Sequence, residues 1–399
     1  MARHPKCGIP QSPCINKLVM VVTDHCNLTC RYCYARLSSH APVARRMDSE
    51  TARQVIRRFL SGRDRCELIQ FFGGEPTLNL DAIRAAIEET LELVGSGLLR
   101  ERPRFAIVSN GVVSTPDRFF ELLKLYGVET TVSLDGPAFL HDQLRPRANA
   151  APSYDHVIRT LSELVKERLP VAIESVYTAR HVREGFSISD LFDFCESLGV
   201  NRIIFDIAYP PAPADLNPLL DPYFEDTLKH HCAAVDKWFD TLLRGQQVPN
   251  VYFRDLLLPL LDGVSAVPTI GSCGAAETDF AVGPNGDLYG CQLLYGNSSY
   301  RLGNVLSGEY PGISKPLPVG PDDYAPCSDC LARNWCQPCA ALNDACGETW
   351  RVPERLCELR RAVVLQLGRW AFGRLAVPCN ETTQFLRRAV EANRNLAVS

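Results

Sequence analysis

Short, almost wholly apolar runs alternate with amphipathic stretches through the first half of the chain. The runs are KLVMVVT (17–23), ELIQFF (67–72), RFAIVSN (104–110), ETTVSL (129–134), VAIESVYT (171–178) and NRIIFDIAY (201–209). Helices are predicted between them, near 49–60, 80–94, 116–126, 154–167 and 188–198. A strand covered on both faces loses the in–out alternation of a half-exposed one and reads as continuously apolar. Parallel neighbours also need a long crossover, which a helix supplies. The pattern therefore predicts an α/β fold on a parallel sheet, either doubly wound or curled into a partial barrel.

After the sixth run comes a proline-rich exit, PPAPADLNP (210–218), then a helical stretch near 223–243. From Gly271 the texture changes to glycine, cysteine and turns, and a helical tail begins near Pro353. The expected organisation is an N-terminal extension (1–16), an α/β domain (17–215), a helical bridge (216–270), a cysteine-rich domain (271–370) and a tail (371–399). Composition narrows the setting. The 399 residues carry a net charge of −4, without the basic footprint of a nucleic-acid binder. No run approaches the ~18 apolar residues of a membrane span, and no signal-peptide core is visible. A soluble, cytoplasmic protein is expected.

The 17 cysteines cluster: three lie within 26–33 and eight within 273–357. The other six, Cys7, Cys14, Cys66, Cys195, Cys232 and Cys379, are scattered and read as small buried apolar residues. Gaps of two to five residues indicate metal or iron–sulfur ligation rather than a disulfide framework.

The first cluster, TDHCNLTCRYCYA, spaces its thiols as Cys26-x3-Cys30-x2-Cys33 and directly follows the first strand. Active sites of α/β barrels lie at such strand ends. A structural zinc site wants four closed ligands, and here no fourth Cys or His stands at ligand spacing; His25 adjoins Cys26 too closely. A [4Fe–4S] cluster held by three cysteines keeps one iron open for chemistry.

This spacing, with the aromatic Tyr32 before the third cysteine, resembles the radical S-adenosylmethionine (SAM) superfamily. The resemblance extends to Gly73-Gly74-Glu75-Pro76 after the second run, to VSNG (108–111), to VSLDGP (132–137) and to HDQLRP (141–146). It implies a partial (β/α)6 barrel. It also implies that the open iron is chelated by the amino and carboxylate groups of SAM. One electron through the cluster then releases a 5′-deoxyadenosyl radical, and a flavodoxin- or ferredoxin-type donor supplies that electron. By the same resemblance Tyr32 and the Gly73–Pro76 backbone bind SAM, with Ser133 and Asn110 nearby. Taken alone, Asn110-Gly111 and Asp135-Gly136 read as ordinary turns.

The second cluster runs Cys273, Cys291, Cys327-x2-Cys330-x5-Cys336-x2-Cys339, Cys346, Cys357. The CxxC elements alone also permit a pair of zinc sites. Beside such a barrel the order resembles the SPASM domain, which implies two auxiliary [4Fe–4S] clusters. The resemblance assigns Cys273, Cys291 and Cys339 to the nearer one and Cys327, Cys330, Cys336 and Cys357 to the farther. The family usually has three residues where only two separate Cys336 and Cys339, so Cys346 rivals Cys339.

The SPASM resemblance implies a peptide or protein substrate. Where sulfatase-maturing relatives carry an aspartate base, this chain has Gln292, which accepts no proton at neutral pH. The 16 residues before the first run are too few for a winged-helix leader-binding domain, so any leader recognition is expected to use the barrel, the SPASM surface or a separate protein. Asp206, in IIFDIAYPP, is a candidate base at a strand end; its alternative is a carboxylate tied to backbone or arginine. The leading expectation is crosslinking of a ribosomally made precursor peptide through a thioether or carbon–carbon bond. Formylglycine formation is the alternative enzyme reading, and an iron–sulfur scaffold or electron carrier the non-catalytic one.

Overall fold

The structure is a computed structural model. It describes residues 13–37, 45–200, 202–210, 212–244, 273–313, 317–318, 323–333, 336, 338–347 and 349–375. Cys7, Cys379, most of the bridge after 244 and the tail after 375 lie outside the described residues.

The described strands, in chain order, are β1 (Cys14–Thr23), β2 (Arg65–Gly73), β3 (Arg104–Ser109), β4 (Val128–Ser133), β5 (Val171–Tyr177), β6 (Ile203–Ile207), β7 (Asp279–Val282), β8 (Asp287–Tyr289) and β9 (Arg301–Asn304). The helices are α1 (Tyr34–Leu37), α2 (Ser49–Leu60), α3 (Leu80–Gly95), α4 (Pro116–Tyr126), α5 (Ala138–Leu144), α6 (Tyr154–Lys166), α7 (Ala179–Arg183), α8 (Ile188–Ser197), α9 (Phe224–Leu243), α10 (Ala340–Ala345) and α11 (Glu354–Leu375). Each of the six apolar runs contains a strand, and the helices expected between them form. The α/β class is as expected.

These elements fall into two compact units. The first contains β1 to β4, α1 to α4, α6 and β7 to β9. Its strands pair in the order β4-β3-β2-β1-β7-β8-β9, parallel from β4 to β7 and antiparallel thereafter. β1 is thus central, with β2 on one side and β7 on the other, and this explains why Leu18 to Val22 are all buried. The cysteine-rich texture after Gly271 hides β7, whose four residues DFAV are too short to stand out as a strand.

Local chemistry sets the helices. Asp48 caps α2 by accepting a hydrogen bond from the Thr51 N–H at 2.7 Å. The buried face of α2, Val55, Ile56, Phe59 and Leu60, lies on the sheet. Phe59 meets Phe280 of β7 edge to face, with ring centroids 5.4 Å apart. α3 buries the Glu89 carboxylate, and Arg57 of α2 grips it with two hydrogen bonds of 2.7 and 2.8 Å.

The second unit contains the parallel pair β5–β6, in register Ile173↔Ile203, with α5 and α7 to α11. α9 and α11 lie together: Phe239 and Trp370 stack at 5.4 Å, and Asp236 accepts hydrogen bonds from Gln366 and from the Trp370 indole.

Phe280 is fully buried in the strand that extends the sheet beyond β1. Phe280→Ala is expected to cost about 3–5 kcal/mol. Urea denaturation followed by circular dichroism checks this; a midpoint shift equivalent to less than about 1 kcal/mol would mean that β7 is not anchored through this ring.

Candidate functional site

The three-cysteine loop leaves β1 at Thr23 and is held by backbone on several sides. Gly74 and Glu75 donate N–H hydrogen bonds to the Thr23 and His25 carbonyls, both at 2.8 Å. A Cβ on Gly74 would stand 2.4 Å from the His25 oxygen and 2.7 Å from the Asp24 oxygen. Gly73 has φ +146°, and a Cβ there would meet the Thr23 oxygen at 2.1 Å. The glycine pair is therefore required by the chain itself: only hydrogen fits between β2's end and the start of the loop. On another side, Thr29 N–H donates to Pro146 O at 2.8 Å and Ala148 N–H to Asn27 O at 3.1 Å. Tyr295 closes a further side, its hydroxyl donating to Asp24 Oδ1 at 3.0 Å. That bond fixes the turn after Cys291 against the loop's start.

Glu75 is fully buried, and four donors converge on it. Oε1 accepts from Thr77 N–H (3.1 Å), Thr77 Oγ1 (2.7 Å) and Ser109 Oγ (2.9 Å); Oε2 accepts from Asn110 N–H at 2.7 Å. Burial pushes its pKa up, and these donors pull against that push. The carboxylate so ties the end of β2 to the end of β3.

Asn110 passes the tie on. Its side-chain amide donates to Asn27 Oδ1 at 2.8 Å and reaches Cys26 Sγ at 3.6 Å. Leu28 N–H also points at Cys26 Sγ, at 3.4 Å. Burial raises the Cys26 thiol to about 11. Cys26, Cys30 and Cys33 are all half-buried and free of disulfides. Three thiols in one pinned loop, one already receiving two N–H groups, fit a cluster whose sulfur ligands need hydrogen-bond donors.

Ser109 and Val132 are the last register pair of β3 and β4, so Asn110 and Ser133 follow side by side, both buried. Pro76 opens a short 3-10 turn and is buried. The Arg145 guanidinium lies 5.3 Å from the Tyr32 ring centroid. Beside the loop, Asn27, Val112, Ser114, Arg147, Asn149 and His156 line part of a pocket of about 360 Å3.

In the second unit Asp206 sits in β6 with its carboxylate open to solvent but ringed by protein. That crowding raises its pKa; the Ile207 N–H, donating to Oδ1 at 2.8 Å, and Arg360 counter it. Cys339 is pushed up by burial, with Cys273 and Asp206 adding to the push. Cys346 instead lines a second pocket of about 360 Å3 with Tyr209, Leu219 and Pro353. Burial raises Cys327 to about 11, and Cys336, Cys357 and Cys330 act on it electrostatically. Among the described residues no three His, Cys, Asp or Glu side chains are arranged to hold one metal ion; a cubane spreads its ligands over four irons.

Cys291 ends the β8 hairpin of the first unit. The Gln292 Oε1 beside it is buried without a hydrogen-bond partner. Of the scattered cysteines, Cys66 and Cys195 are buried, Cys232 is half-buried, and Cys14 is exposed at the start of β1.

Two residues that no spacing rule singles out are also fixed by long-range hydrogen bonds, one in each unit. Asn27 donates to Val112 O at 2.7 Å while accepting from Asn110. Asp135 is fully buried: Oδ1 accepts from Val176 N–H at 3.0 Å, and its carbonyl stands 2.7 Å from His181 Nε2. Burial lowers the His181 pKa, so the ring is neutral, donating from Nε2 and accepting at Nδ1 from Thr178 N–H. No spacing rule flags either residue; an Asp-Gly pair reads as a turn until its partners are seen.

Glu75→Gln replaces one acceptor oxygen by an NH2 group that must face either the Asn110 N–H or the Thr77 and Ser109 donors. A loss of about 1–3 kcal/mol is expected. Gly74→Ala should destabilise similarly through backbone overlap, whereas Gly95→Ala, with open space around its Cβ, should be neutral. Thermal and urea unfolding check the series; a Glu75→Gln protein of unchanged stability would remove the clamp from this account.

Residues 20–197 match the Radical SAM superfamily. The chain is 25% identical over 304 residues to the radical SAM cyclopropyl synthase TigE of Paramaledivibacter caminithermalis, covering 73% of this chain and 59% of that protein. It is 25% identical over 305 residues to a cysteine-type anaerobic sulfatase-maturating enzyme of Clostridium novyi, covering 73% and 76% of the two chains. Among solved structures it shares its fold with histidine-tagged anSMEcpe with bound AdoMet, at a TM-score of 0.72 and 22% identity, over 94% of this chain and 98% of that one. The strand–helix order, the pinned cysteine loop and these likenesses agree: residues 20–197 form a radical SAM domain, and the chain is an enzyme of that type.

Proposed function

We propose that this enzyme modifies a ribosomally made precursor peptide, forming a thioether or carbon–carbon crosslink within it. The observation that carries the reading is the loop of Cys26, Cys30 and Cys33, pinned at the ends of β1, β2 and β3 with none of the three in a disulfide. These three would hold a [4Fe–4S] cluster with one open iron; Tyr32, Asn110, Ser133 and the Gly73–Pro76 backbone would bind SAM. Bound there, cluster and SAM supply a 5′-deoxyadenosyl radical that abstracts hydrogen from the peptide. The remaining work falls to the protein: Glu75 and Asn110 hold the loop still, and the buried strand ends keep water away.

Asp206 is proposed as the base that takes the proton released when the substrate is oxidised, its raised pKa making it a stronger proton acceptor than an ordinary aspartate. Two auxiliary [4Fe–4S] clusters would accept electrons. Cys327, Cys330, Cys336 and Cys357, which act on one another electrostatically, would hold the farther one. Cys273, Cys291 and Cys339 would serve the nearer, since Cys339 feels Cys273 while Cys346 faces Tyr209 and a pocket. The peptide-maturing likeness supports a peptide substrate, and a flavodoxin- or ferredoxin-type protein would supply electrons. A separate protein would present any leader. A cytoplasmic setting suits oxygen-sensitive clusters; no helix among the described residues is long and apolar enough to cross a membrane.

Formylglycine formation is the second reading, favoured by the likeness to a sulfatase-maturating enzyme. Gln292 weighs against it: its buried, unpartnered oxygen is placed to accept a hydrogen bond, not a proton.

Replacing Cys26, Cys30 and Cys33 together by Ala should abolish 5′-deoxyadenosine formation with dithionite and remove one cubane's worth of iron. Unchanged 5′-deoxyadenosine formation would end the radical reading. Asp206→Asn should leave SAM cleavage standing and slow peptide modification at least about a hundredfold. Mass spectrometry of a co-expressed peptide reads this out, and normal yield would make Asp206 structural.

A further inference from the structure

The chain carries a net charge of −4, but the surface at the three-cysteine loop has the opposite sign. Between residues 23 and 47 stand Arg31, Arg36, Arg45 and Arg46 against one carboxylate, Asp24. All four arginines are exposed. Asp24 is half-buried and already accepts from Tyr295 Oη and from the Arg45 N–H. The fold adds one more partly exposed arginine from a distant stretch of chain. Arg147 pairs through its backbone with Leu28 in the loop itself, whereas Arg145, over the Tyr32 ring, is buried and forms no part of the surface. The anchoring is local and specific. Arg36 N–H bonds Cys33 O at 3.1 Å, Arg45 O accepts from Asp24 N–H at 2.9 Å, and Arg46 bridges to Thr23. Five arginines with exposed or partly exposed side chains thus belong to residues 23–36 or pair with them through backbone.

We propose that this cationic rim docks an acidic one-electron carrier protein, so that electrons enter beside Cys26, Cys30 and Cys33. The inference rests on the proposed reading of those cysteines as cluster ligands. Each SAM cleavage consumes one electron: the carrier's reduced cofactor gives it up and leaves one-electron oxidised. A basic patch around the entry point, on a chain otherwise slightly acidic, steers an acidic partner to the right face and repels the wrong one. Arginine suits a transient contact of this kind, since its fork pairs with carboxylates while remaining weakly hydrated.

The test uses reduced flavodoxin as probe and the anaerobically reconstituted holoenzyme. Calorimetry measures binding, and 5′-deoxyadenosine formation measures electron delivery. Wild type should bind flavodoxin with an affinity that falls as salt rises. The double variant Arg36→Glu/Arg45→Glu should bind roughly tenfold more weakly, and its flavodoxin-driven SAM cleavage should fall in step. Its iron content and dithionite-driven cleavage should match wild type. Arg36→Lys/Arg45→Lys should retain most of the affinity. If wild type cleaves no SAM with dithionite, the radical reading fails, and the binding measurements still report on the rim. Flavodoxin affinity that ignores both salt and charge reversal overturns the rim proposal. So does affinity for RNA or anionic vesicles that charge reversal abolishes while flavodoxin binding stays unchanged. Should the reversed variant lose iron, the wild-type salt dependence decides alone: a flat dependence is fatal.

Discussion

A single buried carboxylate organises the candidate site. Glu75 sits where β2 ends and draws Thr77, Ser109 and the Asn110 backbone onto itself, so that the ends of β2 and β3 cannot separate without leaving an uncompensated charge or its donors unpaired. Two glycines precede it because the same turn must press against Thr23, Asp24 and His25. From Glu75 the constraint passes through Asn110 to Asn27 and Cys26. The cysteine loop is therefore held in place by hydrogen bonds that the fold itself supplies. A site held through successive hydrogen bonds on strand ends is more sharply placed than one on a free loop.

Much of this was legible in the sequence. Long parallel strands covered on both faces leave an unambiguous apolar signature, and β1 to β6 all carry it. The cysteine spacing and the GGEP element named the loop and its neighbour. What escaped was short or cooperative. β7, β8 and β9 have four, three and four residues, too few to show any period, and they are strands only because β1 offers an open edge. Their pairing carries the chain after Gly274 into the same unit as β1 to β4, so the compact unit changes close to where the texture changes at Gly271. Asn27 and Asp135 escaped for another reason. Their importance lies in partners 83 and 41 residues away, and a local reading sees only turn-forming residues.

The glycines of the GGEP element show how a motif can be read correctly in position and incompletely in cause. The resemblance assigns their backbone to a bound ligand. The structure adds a prior demand: with any side chain at Gly73 or Gly74, β2 could not lie against β1's exit at all. A glycine can serve a ligand only where the fold has first brought backbone that close, and here the packing alone suffices to require it.

Burial alone does not separate ligand cysteines from structural ones. Cys66 and Cys195 are pushed to about 12, Cys26 and Cys327 to about 11, all chiefly by desolvation. The polarity of their hydrogen bonds does separate them. Cys66 Sγ faces the Leu68 carbonyl, which only a protonated thiol can satisfy, and Cys195 Sγ faces a serine hydroxyl in a closed core. Cys26 Sγ faces two N–H groups, from Leu28 and Asn110, an environment suited to a sulfur that has lost its proton. Burial holds this thiol high, and an iron at Cys26 would replace the water it has lost and favour release of its proton. The same carboxylate clamp that steadies the strands aims the Asn110 amide at the sulfur.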